Sequence, residues 1–395
     1  MIAADALARR LARLEGIGIG SDGVDRLAWT AEDEASRAWF ERQAADAGLV
    51  AERDPAGNLW AHPHGDPPWW AVGSHLDSVR RGGRFDGPLG VMCGFEIAAN
   101  SKRPLAVISF ADEEGARFNT PTFGSKALVG RLDVPTVLER RDDQGIALGE
   151  AMRTAGVDPD GLAGASGWLS KLAGFIEVHI DQSTDVARSG VPLGVVNSLA
   201  SRMRLEVDIR GRADHAGTTP RAERHDALAA AARLIVGAED AAGELTVTTS
   251  RIVAEPNAPT TVAARVRLWI DARGPDGARI YAWRESIEAF AAELAARSRV
   301  EISVLVASRS AGQAFSKPLS GELVRSAVSL IGRAPPEIVC FAGHDAGVLA
   351  ERIPAAMVLV RNATGISHSP DEAVELEDAA IAARVVQRAL EEPAR

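Results

Sequence analysis

Three apolar bursts in this sequence each run into residues that ligate metals. Trp70-Ala-Val-Gly73 leads into His75, Leu105-Ala-Val-Ile-Ser-Phe110 leads into Asp112-Glu113-Glu114, and Gly174-Phe-Ile-Glu-Val-His179 ends on a histidine itself. Short apolar runs bounded by such residues read as buried strands. Catalytic groups at the carboxyl ends of strands are the expected placement in an open α/β sheet. Two further segments join them: Asp86 in Gly82-Gly83-Arg84-Phe85-Asp86-Gly87, and His368 in Gly365-Ile366-Ser367-His368-Ser369-Pro370. The glycines before Asp86 let the backbone bend so that its carboxylate can enter a crowded site.

Imidazole with carboxylate suits zinc, and also manganese, cobalt or nickel. His75, Asp86, Glu114, His179 and His368 match what two divalent metals about 3.5–4 Å apart need for hydrolysis. One carboxylate can bridge, and the others each serve one metal or act as base. Asp77, two residues after His75, is a natural partner for that imidazole's other N–H. Three adjacent acids, Asp112 to Glu114, would repel one another unless cations neutralise them. Each motif alone has a blander reading, such as a glycine-rich turn, a solvated acidic loop or a structural histidine. Those readings weaken together, because every segment falls on the same expected edge of a sheet.

The texture changes near residue 200. Met203, Leu205, Val207 and Ile209 alternate with Arg204, Glu206, Asp208 and Arg210, as in an antiparallel strand with one wet face. A helix from Asp226 to about 240, strands near 245–254 and 260–272, a helix near 276–297 and a strand near 299–307 are predicted to follow. That β-α-β-β-α-β order is the ferredoxin-like split motif. The expected domains are therefore 1–199 and 314–395, forming one discontinuous catalytic domain of mixed-sheet α/β class, with an α+β lid at 200–313 inserted. At 395 residues, two domains are the prior. A helix is predicted to start at Thr30, capped with the help of Asp33.

A formal charge of −10 argues against a nucleic-acid partner. Two distant cysteines suggest a reducing cytoplasm rather than a disulfide framework. The N-terminal segment reads as an amphipathic helix, and no membrane span is expected. Gly18-Ile-Gly20-Ser-Asp-Gly23 formally fits a dinucleotide fingerprint, but it follows a helix rather than a strand. Ser74 beside His75 is not in a serine-hydrolase elbow.

These segments resemble the M20-type amidohydrolases, in the branch with N-carbamoyl-L-amino-acid hydrolase, β-ureidopropionase and allantoate amidohydrolase. The resemblance spans Gly73–Asp77, Gly82–Val91, Ala111–Phe118, Phe175–Gln182, Ala213–Pro220, Ala342–Ala346 and Gly365–Pro370. It implies that His75, Asp86 and His179 hold one metal, and Asp86, Glu114 and His368 the other. It makes Glu113 the general base and His215 the oxyanion donor. Gln182 and Arg273 become substrate binders, Arg273 for a carboxylate, and His344 a second-shell or substrate contact. It also implies a small-molecule substrate with a carboxylate and a homodimer formed through the lid. The expected reaction is hydrolysis of a carbamoyl or related amide C–N bond of an N-substituted amino acid. Allantoate hydrolysis, an aminoacylase or dipeptidase activity, and a non-catalytic binding protein are the alternatives. The chain departs from the pattern at Thr260, where the family's substrate-binding position carries Asn, and at Ser183 and Arg221. Its helix between Asp86 and Asp112 is also short. These departures touch substrate choice rather than the metal ligands.

Overall fold

The computed structural model describes residues 2–20 and 22–391. The chain divides into two compact units, Met1–Ser198 with Ala314–Arg395, and Leu199–Gln313.

The first unit is built on a nine-stranded mixed sheet. At its centre Trp69–His75 lies between Leu105–Phe110 and Leu172–Ile180, parallel to both, and Ala355–Val360 continues the parallel set. Leu105–Phe110 and Ala355–Val360 are buried at every position. That is why they read as unbroken apolar runs: a parallel strand covered on both faces has no wet side to encode. Leu59–His62 and Leu193–Leu199 pair antiparallel at the flanks. Helix Pro88–Asn100 is buried along most of its length and joins the core of Val72, Val107, Val178 and Val358. Thr30 caps the helix Ala31–Asp46 by accepting from the Asp33 N–H. Asp33 returns a bond to the Trp29 N–H at 2.8 Å, one residue earlier than a capping box requires. Segment 18–24 forms a two-residue antiparallel hairpin, Ile19–Gly20 with Gly23–Val24, and Ser21 lies outside the described residues.

The second unit is a four-stranded antiparallel sheet in the order Thr246–Glu255, Arg265–Gly274, Ser201–Arg210, Glu301–Ser310. Helices Ala227–Asp240 and Gly277–Ser298 supply its cover, with Leu234, Ile287 and Leu294 packed against Leu205, Val207 and Ile270. Asp226 and Asp276 cap these helices by accepting from Ala229 and Ala278. Strict alternation of buried and half-buried positions runs through Arg265–Gly274.

One strand differs from expectation. The predicted strand 260–272 is two pieces, Thr261–Val262 and Arg265–Gly274. The first pairs with Asp214–His215. Between them Ala264 donates to Glu255 O at 2.8 Å and accepts from Gly211 at 2.7 Å, so the chain changes partners there. Thr260 is therefore not on the Arg273 strand.

Candidate metal centre

His75 is the last residue of its strand and His179 the penultimate residue of the neighbouring one. Both rings are buried, with centroids 5.8 Å apart. His75 Nδ1 lies 3.0 Å from the Asp77 carbonyl, and His179 Nδ1 lies 2.9 Å from the Ile180 carbonyl. A carbonyl only accepts, so each Nδ1 carries a proton and Nε2 is the nitrogen left to face a cation. The two Nε2 atoms are buried without a hydrogen-bond partner. They face the same oxygen, Asp86 Oδ1, at 3.6 and 3.2 Å. Two unpartnered imidazole nitrogens beside a carboxylate fit a cation.

Asp86 reaches this position because Gly87 packs against the His75 ring. Gly87 has φ 86, and a Cβ there would stand 2.4 Å from His75 Cε1. The other carboxylate oxygen, Oδ2, faces a different group. His368 Nε2 is 3.6 Å from it and 3.5 Å from Glu114 Oε1. One ligand atom from each of His75, Asp86 and His179 falls within 4.8 Å of the others, and the same holds for Asp86, Glu114 and His368. The five expected metal-type residues thus come together as two triplets that share one carboxylate.

The acidic loop after Phe110 turns sharply at Asp112, which takes φ 50. Thr120 Oγ1 donates to Asp112 Oδ2, and Phe123 and Thr122 donate to the Asp112 and Glu113 carbonyls at 3.1 and 2.6 Å. Asp77 has a task the sequence reading gave it only in part. The nearer partner of His75 Nδ1 is the Asp77 backbone carbonyl, and its carboxylate stands 3.6 Å away. The carboxylate instead accepts from the Glu113 and Glu114 backbone N–H groups at 3.1 Å each. It fixes the acid loop as well as flanking the imidazole.

The electrostatics follow from so many acids in one dry place. Burial, with Asp345, Glu114 and Asp77 nearby, pushes the Glu113 carboxyl well above the usual range against the opposing charge of His75. Burial and the Asp86 charge push Glu114 up to about 8. Asp86 goes the other way: burial opposes its charge, but His179 and His75 hold it well below the carboxylate range. Glu113 Oε2 stands 3.8 Å from His75 Nε2.

Several contributors carried no signal of their own in the sequence. Glu372 Oε1 accepts from the Phe85 and Asp86 N–H groups at 2.5 and 3.0 Å and so holds the Asp86 turn. Ser367 Oγ donates to Asp86 Oδ2 at 3.0 Å. Glu177 accepts from Ser74 Oγ and from Ala346 N, both at 2.8 Å. Position in the Ser367–Pro370 segment was the only hint for Ser367, and nothing marked Glu372 except its place four residues after His368.

The expected substrate binders are distributed over both units. Gln182 donates to Asp86 Oδ2 at 3.0 Å and leaves Oε1 buried without a partner. His344 is buried with its ring 4.5 Å from that of His179, and neither nitrogen has a hydrogen-bond partner, Glu177 Oε1 standing 4.0 Å from Nδ1. Burial and the His179 charge push it well below the usual imidazole range, so it is neutral. On the inserted unit, His215 is exposed, and its Nδ1 accepts from the Gly217 and Thr218 N–H groups at 3.1 Å each. That leaves Nε2 as the donor nitrogen of the ring. Ala216 N donates to Thr260 O at 2.9 Å, so Thr260 neighbours His215. Arg273 Nε donates to Asp271 Oδ1 at 2.7 Å.

Residues 71–392 match peptidase family M20/M25/M40. The N-carbamoyl-L-amino acid amidohydrolase of Geobacillus stearothermophilus is 35% identical, covering 98% of this chain and 97% of its own length. The allantoate amidohydrolase of Bacillus subtilis is 30% identical over 90% of this chain and 89% of its own. The crystal structure of a hydantoinase/carbamoylase family amidase from Burkholderia multivorans superposes with a TM-score of 0.88 at 28% identity, covering 100% of this chain and 98% of that one. With a family match over most of its length and relatives spanning nearly all of it, the chain belongs to peptidase family M20/M25/M40.

Proposed function

We propose that this chain is a binuclear-metal amidohydrolase that cleaves a carbamoyl, or ureido, C–N bond of an N-substituted amino acid. The observation that carries this reading is the division of the Asp86 carboxylate, with Oδ1 toward His75 and His179 and Oδ2 toward His368. The similarity to N-carbamoyl-L-amino acid amidohydrolases supports the substrate class.

His75, Asp86 and His179 would hold one cation, and Asp86, Glu114 and His368 the other. Divalent zinc, or manganese, cobalt or nickel, would supply Lewis acidity, polarising the scissile carbonyl and acidifying water. Glu113 takes the proton of the attacking water on its carboxylate and returns it to the departing nitrogen, since it is buried, close to the ligands and not needed as one. His215 donates its Nε2 proton to the oxyanion. Arg273 binds the substrate's carboxylate, while Gln182, His344 and Thr260 contact its polar groups. For a ureido substrate the released carbamate decays to ammonia and carbon dioxide, leaving the amino acid.

A homodimer through the inserted unit is part of the same reading. Glu301–Ser310 is an edge strand whose Leu305 is 62% exposed, and an unpaired apolar edge invites a partner strand. A cytoplasmic setting suits the two buried cysteines, which form no disulfide, and no helix among the described residues is long and apolar enough to cross a membrane. A panel of N-carbamoyl, N-acyl and dipeptide substrates with ammonia detection tests the reaction. Ammonia and free amino acid in equal amounts are expected. Free amino acid with an acyl acid and no ammonia would make the enzyme an aminoacylase.

A further inference from the structure

The wet face of the inserted sheet carries a cluster of arginines. In the antiparallel register Arg273 stands directly opposite Arg202, and Asp271 directly opposite Arg204. These four alternate with buried Met203, Leu205, Ile270 and Ala272, so they share one face. The rows extend outward to Thr246 beside Arg273, and to Ser310 and Ser308 beside Arg202 and Arg204. Three guanidiniums thus surround one carboxylate. Asp271 spends Oδ1 on Arg273 Nε at 2.7 Å and Oδ2 on Arg204 at 3.1 Å. Arg202 Nε is buried with no hydrogen-bond partner, and Ser308 Oγ is in the same condition. Glu206, one row further on, pairs across the sheet with Trp269 and Leu305 rather than with either arginine.

Like charges directly opposite on a sheet work against it, and a buried donor without an acceptor costs more than one left in water. An anion seated between Arg202 and Arg273 relieves both. A carboxylate offers about four lone-pair sites, enough for donors from two guanidiniums and a hydroxyl. We infer that Arg202 is a second carboxylate-binding residue, forming with Arg273 a two-guanidinium clamp for the substrate's carboxylate. This rests on the proposed reading that the substrate carries one, and it assigns to Arg202 a share of the selection against uncharged analogues.

The test uses the full, metal-loaded protein and two probes, N-acetyl-L-alanine and its carboxamide, titrated by calorimetry. The wild type is expected to prefer the carboxylate by about tenfold or more, as charge-assisted hydrogen bonds imply. Arg202→Gln is expected to lose about tenfold of that preference, and Arg202→Lys to recover part of it. The melting temperature should not fall in Arg202→Gln, because the change removes a like-charge opposition. A purely structural arginine would show the reverse: a lower melting temperature and an unchanged preference. A preference in Arg202→Gln within twofold of wild type would overturn the clamp, as would a wild type that binds both probes equally. The calorimetric ratio reads the clamp whether or not any N-carbamoyl substrate releases ammonia, so its failure and that of the proposed reaction are separable.

Discussion

The two units of this protein keep their chemistry in different places. In the larger one, most candidate functional side chains follow the ends of buried parallel strands and are held by hydrogen bonds inside the protein, with His368 half-exposed on a loop. His75, Asp86, Glu113 and His179 are all less than a tenth exposed. In the inserted one, the functional candidates lie on the wet face of an antiparallel sheet or on a two-residue strand: Arg273 is a third exposed in its side chain and His215 is exposed. Charged groups in the first setting must be matched by cations or neutralised, because burial makes each unpaired charge costly. Those in the second keep contact with water and need no such match. The buried centre therefore suits fixed cations, and the half-open sheet suits a replaceable anion.

The largest expected effect lies at the buried centre. Glu113→Gln should lower kcat by about 10²–10⁴-fold, the usual share of a general base, with both cations retained. Steady-state kinetics beside metal analysis checks this, and activity within tenfold of wild type would remove Glu113 from that role.

Next comes the support that the sequence did not advertise. Glu372→Ala leaves the Phe85 and Asp86 N–H groups without their acceptor. Metal affinity should fall by about 10–100-fold, as for other outer partners of a metal site. A chelator competition titration measures it. Unchanged affinity would mean that the Asp86 turn holds without this carboxylate.

On the inserted unit Arg273→Lys should raise KM for a carboxylated substrate by about tenfold, because an ammonium cannot reproduce the guanidinium fork. Metal content should not change. A loss of cations in this variant would break the separation between the two regions.

The mildest effect is on pH. The Glu114 carboxyl, raised to about 8 chiefly by burial, holds a proton below that pH. A cation binding there must displace it, so metal affinity should climb with pH and level off near 8, by at most about tenfold per unit. Calorimetry in buffers of different ionisation enthalpy would show the released proton. An affinity that falls as pH rises toward 8 has the wrong sign.

The sequence made the two regions legible to different depths. Strand ends with ligand-type residues were readable because burial on both faces leaves an unbroken apolar run, and the chemistry begins where that run stops. The inserted sheet was readable because alternation reports which face is wet. Long-range support was not readable. Glu372 acts on Phe85 and Asp86 from 287 and 286 residues away, and no local pattern encodes a hydrogen bond across that distance. Thr260 was misplaced for a related reason: periodicity detects a strand but not the point where a chain leaves one partner for another. Nothing in the sequence singles out Arg202, and only the register places it opposite Arg273.

Metal stoichiometry against activity tests the buried centre most directly. Protein stripped with a chelator and titrated with a divalent cation should bind two per chain, and ammonia release from an N-carbamoyl-L-amino acid should rise to its plateau as the second site fills. His368→Ala, which removes a ligand from one triplet alone, should stop at one cation with little turnover. Full activity in protein that holds no divalent cation, or His368→Ala that still binds two and turns over normally, would contradict the two-cation centre.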